Sequence, residues 1–416
     1  MKLSSCPKLP HGRSVEPEDT VRNLQAVLSK QVDYWVHQEQ VDKHLFWSAL
    51  FIEDMDFRAM GKGVTAMLSH AGALAEAAEW LACRETERLP GYRVAHQDDL
   101  DETDHLPIED LLTHVATATP PVLERIKDLP DAQYWVDGYS LVHEKSLKVP
   151  LEYVGVIGGP NGKASGNTLE EAIEHAVLEV FERRAHITVL RNRLVMPTLD
   201  PATIEDPLVR ELMDFIDAQG IEVILKDLSF DGALPCLGAY FKDPHIPDHY
   251  QFHHFFKVGS SFNRIEALTR IFTEYVQGRA RDEFIRGTQE ELDRILRHDF
   301  RSLRVMDDAE DNFMSAFMFG FVPYRNTDFL RAGDVIPFEP TVGYGDSLDD
   351  IRHAQSICQQ LDKDLIVVDL SDPEIDFGVA QVIVPGYSDV LPYHPARSSG
   401  LFQRITRPEV LAMYDR

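Results

Sequence analysis

The residues best suited to chemistry lie between positions 161 and 183, in the stretch NGKASGNTLEEAIEHAVLEVFER. Its first part is rich in glycine, which accepts the backbone angles of a tight loop at little cost. Thr168 and Glu171 have the spacing of a capping box, so we predict that a helix begins at this point. At about 100° per residue, one face of that helix carries four polar residues within roughly 80°: Glu171, His175, Glu179 and Glu182.

The acidic face of this central helix needs an explanation, because three of those four residues are carboxylates and no base alternates with them. Like charges three or four residues apart destabilise a helix. A bound cation is the simplest way to balance them, and a site made of oxygen ligands alone favours Mg²⁺ over Zn²⁺. The alternative is an acidic face exposed to solvent, and the positions of these residues along the helix do not distinguish the two.

A second stretch, GKGVTAMLSHAGALAEAAE at positions 61–79, repeats the plan of a Gly-Lys loop that enters a helix. Its E-x-x-E pair lies on one helix face, together with Cys83, to which we assign no role. Two helices that face each other with such pairs could hold two metal ions, and Lys62 and the loop amides could then bind the phosphates that the metals bridge. The predicted metal ligands are therefore four carboxylates: Glu76, Glu79, Glu179 and Glu182.

A third predicted helix, at positions 265–284, presents a polar face with an apolar side behind it. Arginine and glutamine next to carboxylates suit triphosphate oxygens and metal-bound water. Taken alone, this pattern is also that of an ordinary amphipathic surface helix. The residues of the polar face and the base that follows them are Glu266, Arg270, Glu274, Gln277 and Arg279.

Together, the three stretches resemble the YcaO family. SGNTLEEAIEHAVLEVFER is similar to the family's nucleotide-binding signature, while GKG…GALAEAAE and EALTRIFTEYVQGR resemble its earlier and later segments, in family order. VIVPG at 382–386 resembles a later family landmark. The chain departs from the family at Gly72 and Trp80, where Ser and Arg are usual. It also ends in RPEVLAMYDR, whereas the family's cyclodehydratases end in a proline-rich tail.

This resemblance implies an enzyme that uses ATP and Mg²⁺ to activate a peptide or protein backbone amide, giving a thioamide or an azoline. We predict Glu171 and Arg279 as the catalytic residues, with Glu171 the candidate proton shuttle in place of the C-terminal tail. The resemblance also implies that six residues bind the nucleotide: Lys62, Asn167, Glu171, Arg183, Gln277 and Arg279. Because the tail is not proline-rich, thioamide formation with external sulfide stays open beside ring formation.

We expect a mixed α/β fold of the YcaO type, with the ATP site between carboxylate-bearing helices and sheets. Residues 1–40 are predicted to form an N-terminal arm and helix, and residues 41–416 the catalytic domain, with the nucleotide-binding motifs inside 61–279. Periodicity predicts helices at 207–218 and 348–361. It predicts strands at 134–142, 149–157, 221–227, 236–241, 365–370 and 379–384.

Composition limits the partners. Acidic residues outnumber basic ones by 69 to 41, and the net charge of −28 argues against nucleic acid or an anionic membrane as a partner. The four cysteines show no C-x-x-C pair, so neither a zinc site nor a disulfide framework is indicated. The chain has no signal-like start or membrane-length apolar run, so we expect a cytoplasmic protein. We also expect a homodimer and a sulfur-delivery or peptide-recognition partner of the TfuA kind.

Three other functions remain open from the sequence. One is a non-catalytic accessory subunit that binds ATP and a partner enzyme. Another is a di-iron carboxylate protein, although such bundles favour E-x-x-H over the E-x-x-E seen here. The third is a kinase or ligase that acts on a small molecule.

Overall fold

The computed structural model describes residues 1–52, 57–83, 86–101, 104–112, 126–244, 254–279, 320, 322 and 326–389. The unusual C-terminal tail and the end of the third predicted helix lie outside these residues. The chain divides into two compact units. Unit 1 contains Met1–Glu16, Ala78–Arg184 and Gly345–Arg416, and unit 2 contains Pro17–Ala77 and Ala185–Tyr344. The domain boundary expected at residue 40 stays a prediction.

Helices and strands alternate along the described residues, which confirms the predicted mixed α/β class. The helices are α1 (Pro17–Leu28), α2 (Ala66–Ala82), α3 (Ile108–Leu111), α4 (Leu151–Gly158), α5 (Leu169–Asn192), α6 (Pro207–Asp217), α7 (Arg264–Arg279), α8 (Asp328–Arg331) and α9 (Ser347–Gln360). The strands are β1 (Tyr34–Asp42), β2 (Leu45–Ile52), β3 (Phe57–Gly63), β4 (Arg93–Ala95), β5 (Gln133–Ser140), β6 (Lys145–Pro150), β7 (Lys163–Gly166), β8 (Thr198–Asp200), β9 (Glu222–Asp227), β10 (Cys236–Lys242), β11 (His254–Ser260), β12 (Val335–Pro337), β13 (Ile366–Asp369) and β14 (Gly378–Ile383). None of these described helices has both the length and the apolar composition of a membrane span.

Unit 1 is built on an antiparallel sheet of order β4-β5-β13-β14-β7, with β6 paired to β5. The part of α5 up to Arg184 belongs to this unit. The helix starts where the capping box predicts, because the Thr168 hydroxyl accepts a hydrogen bond from the Glu171 N–H at 3.1 Å. The apolar side of α5 is fully buried at Ile173, Val177 and Val180, as the periodicity predicts. The central helix is thus fixed by its cap and by its apolar face.

Unit 2 contains two sheets, of orders β1-β2-β3 and β11-β10-β9-β8-β12. Helix α7 packs against β10 and β11 of the larger sheet and also against β2 and β3 of the smaller one. Its apolar residues enter the core, where Tyr275 stacks on Phe241 with ring centroids 4.0 Å apart. The third predicted helix is therefore a core element of this unit and not a surface helix.

Two local predictions are wrong. Residues 151–158, expected to continue a strand, form helix α4, which begins after Pro150. A short apolar run does not distinguish a strand from a buried helix, and only packing decided between them here. The predicted loop at Gly61–Lys62–Gly63 is instead the end of strand β3.

The N-terminal segment (Met1–Glu16) is held against α9 and α5 within unit 1. Pro7 forms a β-bridge with Asp346, and the Lys8 N–H donates to the Gly345 carbonyl at 2.9 Å. Farther along, the Lys8 ammonium contacts two buried carboxylates: Oε1 of Glu174 at 2.5 Å and Oδ2 of Asp350. These contacts join the start of the chain to two helices far away in sequence.

Burial raises the pKa of Glu174 to about 7; Lys8 opposes this shift and the nearby Asp350 adds to it. A single ammonium cannot balance two buried carboxylates, so Glu174 stays protonated below about pH 7. The folded chain therefore binds this proton more strongly than the unfolded chain does. The resulting stability is present at low pH and is lost as pH rises toward about 7.

The Glu174→Gln variant tests this linkage, because glutamine resembles the protonated acid. We expect the variant to gain stability relative to the wild type as pH rises from about 5 to about 8. Urea denaturation at several pH values measures this difference. Glu170→Gln is the matched control on the same helix. Among the described contacts, Glu170 accepts hydrogen bonds only from Ser4, which is uncharged. If the unfolding free energies of Glu174→Gln and the wild type changed with pH in the same way, the raised pKa of Glu174 would be contradicted.

The glycines at the end of β3 allow this strand to approach α2 closely. A Cβ atom at Gly61 would overlap the carbonyl oxygen of Ser69 and the backbone nitrogen of Ala73. Gly61→Ala should therefore lower the unfolding free energy by about 1–3 kcal/mol, the usual cost of overpacking. Thermal and urea unfolding measure the change.

Gly155→Ala provides the control, because Gly155 lies in α4 and a Cβ atom there meets nothing within 4 Å. It should stabilise the protein by up to about 1 kcal/mol, since alanine favours a helix over glycine. Equal effects at Gly61 and Gly155 would show that the close approach of β3 to α2 does not matter.

Candidate functional site

In unit 1, the candidate site is built by β7, the residues on either side of it and the part of α5 up to Arg184. Gly162 has a φ of 74°, and its N–H donates to Oε2 of Glu179 at 3.2 Å. Asn167 lies between strand and helix, and its Nδ2 donates to Oε2 of Glu171 at 3.2 Å. The residues that flank β7, Gly162 before it and Asn167 after it, therefore each place a polar group on one of the predicted carboxylates.

Glu171 is buried, with 2% of its surface exposed. Ser14 donates to its Oε2 through both its N–H at 3.2 Å and its hydroxyl at 2.5 Å, and Arg13 Nη1 lies 3.6 Å from Oε1. Burial by itself would raise the pKa of Glu171, but Arg13 and His175 outweigh it, with help from hydrogen bonds of Ser14 and Asn167. The net shift is downward, so Glu171 is ionised at neutral pH.

The later acids of α5 are more open than Glu171. Glu179 is partly exposed, and its Oε1 lies 3.6 Å from Nε of Arg183, one turn farther along the helix. Glu182 is half-buried on the same helix. The structure therefore brings the predicted residues Glu179 and Arg183 together, next to the backbone of Gly162.

The end of α2 adds Glu79 and Cys83 to unit 1. Burial raises the pKa of the Cys83 thiol; Lys163 counteracts this shift through its charge and a hydrogen bond, while Glu79 adds to it. Cys83 therefore carries a neutral thiol near an acid and a base of the candidate site.

Unit 2 holds the other predicted residues. The Lys62 ammonium on β3 forms an ion pair with Glu274 of α7. The Glu76 carboxylate on α2 accepts a hydrogen bond from the Met60 N–H at 2.8 Å. Gln277 is half-buried on α7, and Arg279 is the last residue of that helix, with its side chain outside the described part.

The pKa of Glu76 is raised, although the side chain is exposed. Desolvation by the surrounding protein is the largest cause, and the Met60 hydrogen bond and the charges of Lys62 and Arg58 oppose it. The desolvation therefore outweighs three favourable interactions of the ionised form.

The chemistry of the donor set fits Mg²⁺, since all four predicted ligands are carboxylates. Among the described residues, no three His, Cys, Asp or Glu side chains form a cluster that could hold a metal ion. Mg²⁺ usually keeps several waters and binds through one or two carboxylates together with substrate phosphates. The partly exposed pair Glu179 and Glu182 is compatible with that mode of binding.

The expectation of unbalanced charge is wrong for Glu171. It assumed that no base lies near the acidic face, but Arg13 and Ser14 of the N-terminal segment provide the partners. Lys8 does the same for Glu174. Sequence reasoning missed these residues because they lie more than 150 positions away. The only signal was that three bases, Lys2, Lys8 and Arg13, precede the first acidic residue, Glu16.

A family model described as YcaO cyclodehydratase, ATP- and Mg²⁺-binding, matches residues 60–388. An uncharacterized protein of Methanothermobacter thermautotrophicus is 29% identical over 245 residues, which are 56% of this chain and 59% of that protein. An uncharacterized protein in the tfuA 3′ region of Rhizobium leguminosarum bv. trifolii is 26% identical over 61% of this chain and 60% of its own length. The ribosomal protein S12 methylthiotransferase accessory factor YcaO of Escherichia coli is 23% identical over 60% of this chain and 39% of its own length. The match thus spans three fifths or less of these relatives.

Two solved structures share the fold. A heterocyclase in complex with substrate and cofactor has a TM-score of 0.67 and 19% identity, covering 98% of this chain and 58% of that chain. The YcaO of Methanopyrus kandleri bound with AMPPCP and Mg²⁺ has a TM-score of 0.64 and 18% identity, covering 92% of this chain and 95% of that chain. These similarities confirm the predicted YcaO-like fold.

The family match includes every predicted nucleotide- and metal-binding residue, from Lys62 to Arg279. Its description confirms, for the family, the predicted pair of cofactors, ATP and Mg²⁺. It covers more than three quarters of the chain, and both the motifs and the fold agree with it. This chain belongs to the YcaO family.

Proposed function

We propose that this protein uses ATP and Mg²⁺ to phosphorylate a backbone amide oxygen of a peptide or protein, so that a thioamide or an azoline can form. The observation that carries the proposal is the arrangement along β7 and α5. There, Asn167 and the Gly162 N–H meet Glu171 and Glu179, with Arg183 one turn beyond Glu179. The description of the family supports the use of ATP and Mg²⁺.

In the proposed reaction the amide oxygen attacks the γ-phosphorus of ATP, and the bond to ADP breaks. A sulfide, or a neighbouring cysteine, serine or threonine side chain, then adds to the amide carbon. The carbon–oxygen bond breaks, and its electrons leave with phosphate. With external sulfide the carbon keeps sulfur as a thioamide; with a side-chain nucleophile the amide nitrogen loses its proton and the ring becomes an azoline. Phosphorylation is useful because it converts a poor leaving group into a good one.

The protein's contribution to such a step is mainly position and charge. We assign Glu79, Glu76, Glu179 and Glu182 to Mg²⁺, which would neutralise charge on the phosphates. An acid with a lowered pKa is a weak base. The surroundings of Glu171 therefore favour a charged group that orients the nucleotide or a metal-bound water over a proton acceptor.

The residues that we assign to phosphate belong to unit 2. Lys62 is one-third exposed or less, and its ammonium is held by Glu274 on a neighbouring helix. Lysine binds phosphate as a point charge. We assign Lys62, Gln277 and Arg279 to the nucleotide, and Arg279 also to the transition state, where its guanidinium would stabilise charge on the transferred group.

The alternative is an accessory subunit that binds ATP without modifying a substrate, and the name of the Escherichia coli relative gives it some support. ATP turnover that depends on a candidate peptide would separate the two. The relative from a tfuA region supports our proposal of a TfuA-like partner. A homodimer and a cytoplasmic location remain predictions.

Replacement of Glu179 or Glu182 by glutamine tests the metal assignment. We expect each variant to weaken Mg²⁺-dependent ATP binding by about tenfold or more, a scale reached even by residues that only support metal ligands. Calorimetric titration with ATP, with and without MgCl₂, measures the effect. Glu170→Gln on the same helix should bind as the wild type does. The proposed site would be refuted if ATP bound equally well without Mg²⁺ and neither Glu179→Gln nor Glu182→Gln changed its affinity.

Lys62→Ala tests the phosphate assignment. Loss of a charge-assisted contact should weaken the binding of ATP by about tenfold to a hundredfold, whereas the binding of adenosine should change little. Lys43→Ala is the matched control, because Lys43 is an exposed lysine that pairs with Glu211 on the surface of the same unit. Equal losses for ATP and adenosine would indicate that Lys62 is structural.

A further inference from the structure

The N-terminal segment provides a separate partner for each acid in the first turns of α5. Ser4 donates to Glu170 through its N–H at 2.7 Å and its hydroxyl at 2.9 Å. Lys8 contacts Glu174, and Arg13 and Ser14 contact Glu171. This segment lies before residue 60, where the family match begins, so the match says nothing about it.

A tight turn presents Arg13 and Ser14 to the helix. The Gly12 N–H donates to the Leu9 carbonyl at 2.8 Å, and the Leu9 N–H donates to the Arg13 carbonyl at 2.7 Å. Gly12 has a φ of 80°, an angle that a residue with a side chain rarely adopts. The turn therefore has a defined shape, and it directs the two residues toward Glu171.

Arg13 connects two residues on the polar face of α5. Its Nη1 contacts the ring of His175 and lies 3.6 Å from Oε1 of Glu171. Nδ1 of His175 lies 3.1 Å from the Ser165 carbonyl oxygen, an acceptor, so we assign the ring proton to Nδ1. The Arg13 guanidinium therefore lies between His175 and Glu171.

We propose that Arg13 and Ser14 are positioning residues of the nucleotide site, which hold the Glu171 carboxylate in one orientation. This inference rests on the proposed function, because it requires Glu171 to act on ATP. It extends the site to a segment that neither the motifs nor the family match includes.

A purely structural role explains these contacts less well. The segment is already anchored by Cys6 and Lys8, whose contacts with Asp346 and Gly345 do not involve Glu171. The Arg13 side chain is 41% exposed, and ion pairs with so exposed a partner add little to stability. Two donors directed at one buried carboxylate, on the first turns of the helix that carries the predicted site, point to control of that carboxylate.

The experiment is a double-mutant cycle on Mg²⁺–ATP binding by the full chain, with Arg13→Ala, Glu171→Gln and the combined variant. We expect Arg13→Ala to weaken binding by about three- to tenfold in the wild-type background and to have almost no effect beside Glu171→Gln. Arg13→Lys should recover part of the loss, because it restores the charge. Ser14→Ala is the second single variant, and Ser4→Ala, which removes a contact to Glu170 instead, is the matched control.

The pH dependence of binding gives a second readout that a structural role would not move. The charged and titratable groups facing Glu171 are Arg13 and His175, and both lower its pKa. Removing Arg13 should therefore raise that pKa and move the acid side of the binding profile to higher pH. Thermal unfolding of each variant checks that the fold is retained.

The outcomes separate this inference from the function on which it rests. If Glu171→Gln weakens binding but Arg13→Ala and Ser14→Ala do not, the positioning role is refuted and the proposed site stands. If the losses of Arg13→Ala and Glu171→Gln are additive, Arg13 acts independently of Glu171 and the inference is also wrong. If Glu171→Gln binds as the wild type does, the assignment of Glu171 to the nucleotide fails, and the inference fails with it.

Discussion

The structure depends on the need to balance the acids that α5 buries. Glu170, Glu171 and Glu174 lie within two turns, and each is at least nine-tenths buried. A buried carboxylate without a partner would cost several kcal/mol or take up a proton. The N-terminal segment supplies the partners of these acids, which are two bases and two hydroxyl residues from the beginning of the chain.

This balance divides α5 into two parts with different properties. The first turns are neutralised by the protein itself, and Glu171 there has a lowered pKa while Glu174 has a raised one. The next turns carry Glu179 and Glu182, which keep partial exposure. Glu179 contacts the Gly162 N–H and lies 3.6 Å from Arg183. The helix therefore has buried acids with partners from the N-terminal segment in its first turns and partly exposed acids farther along.

The main constraint in unit 2 is the close packing of strand β3 against helix α2. Gly61 and Gly63 leave no room for a Cβ atom beside α2, and Gly72 on the helix faces Gly61 in return. The strand can therefore pass next to Ser69 and Ala73, and Lys62 between the two glycines is directed by a backbone that has little freedom. Its contact with Glu274 joins residues more than 200 positions apart in one charge pair. Close backbone packing thus defines the position of the base that we assign to phosphate.

The sequence by itself determined the elements that local chemistry controls. The cap of α5 at Thr168, the apolar sides of α5 and α7, and the mixed α/β class follow from spacing and periodicity, which need no knowledge of distant residues. The three motifs likewise indicate the family through residue types and their order along the chain. Tertiary structure alone decided that residues 151–158 are helical, that the Gly-Lys motif ends a strand, and that Arg13 reaches Glu171. The physical reason is that a short apolar run, a glycine or an unpaired acid has several local solutions, and the choice is made by the atoms that a distant part of the chain brings against it.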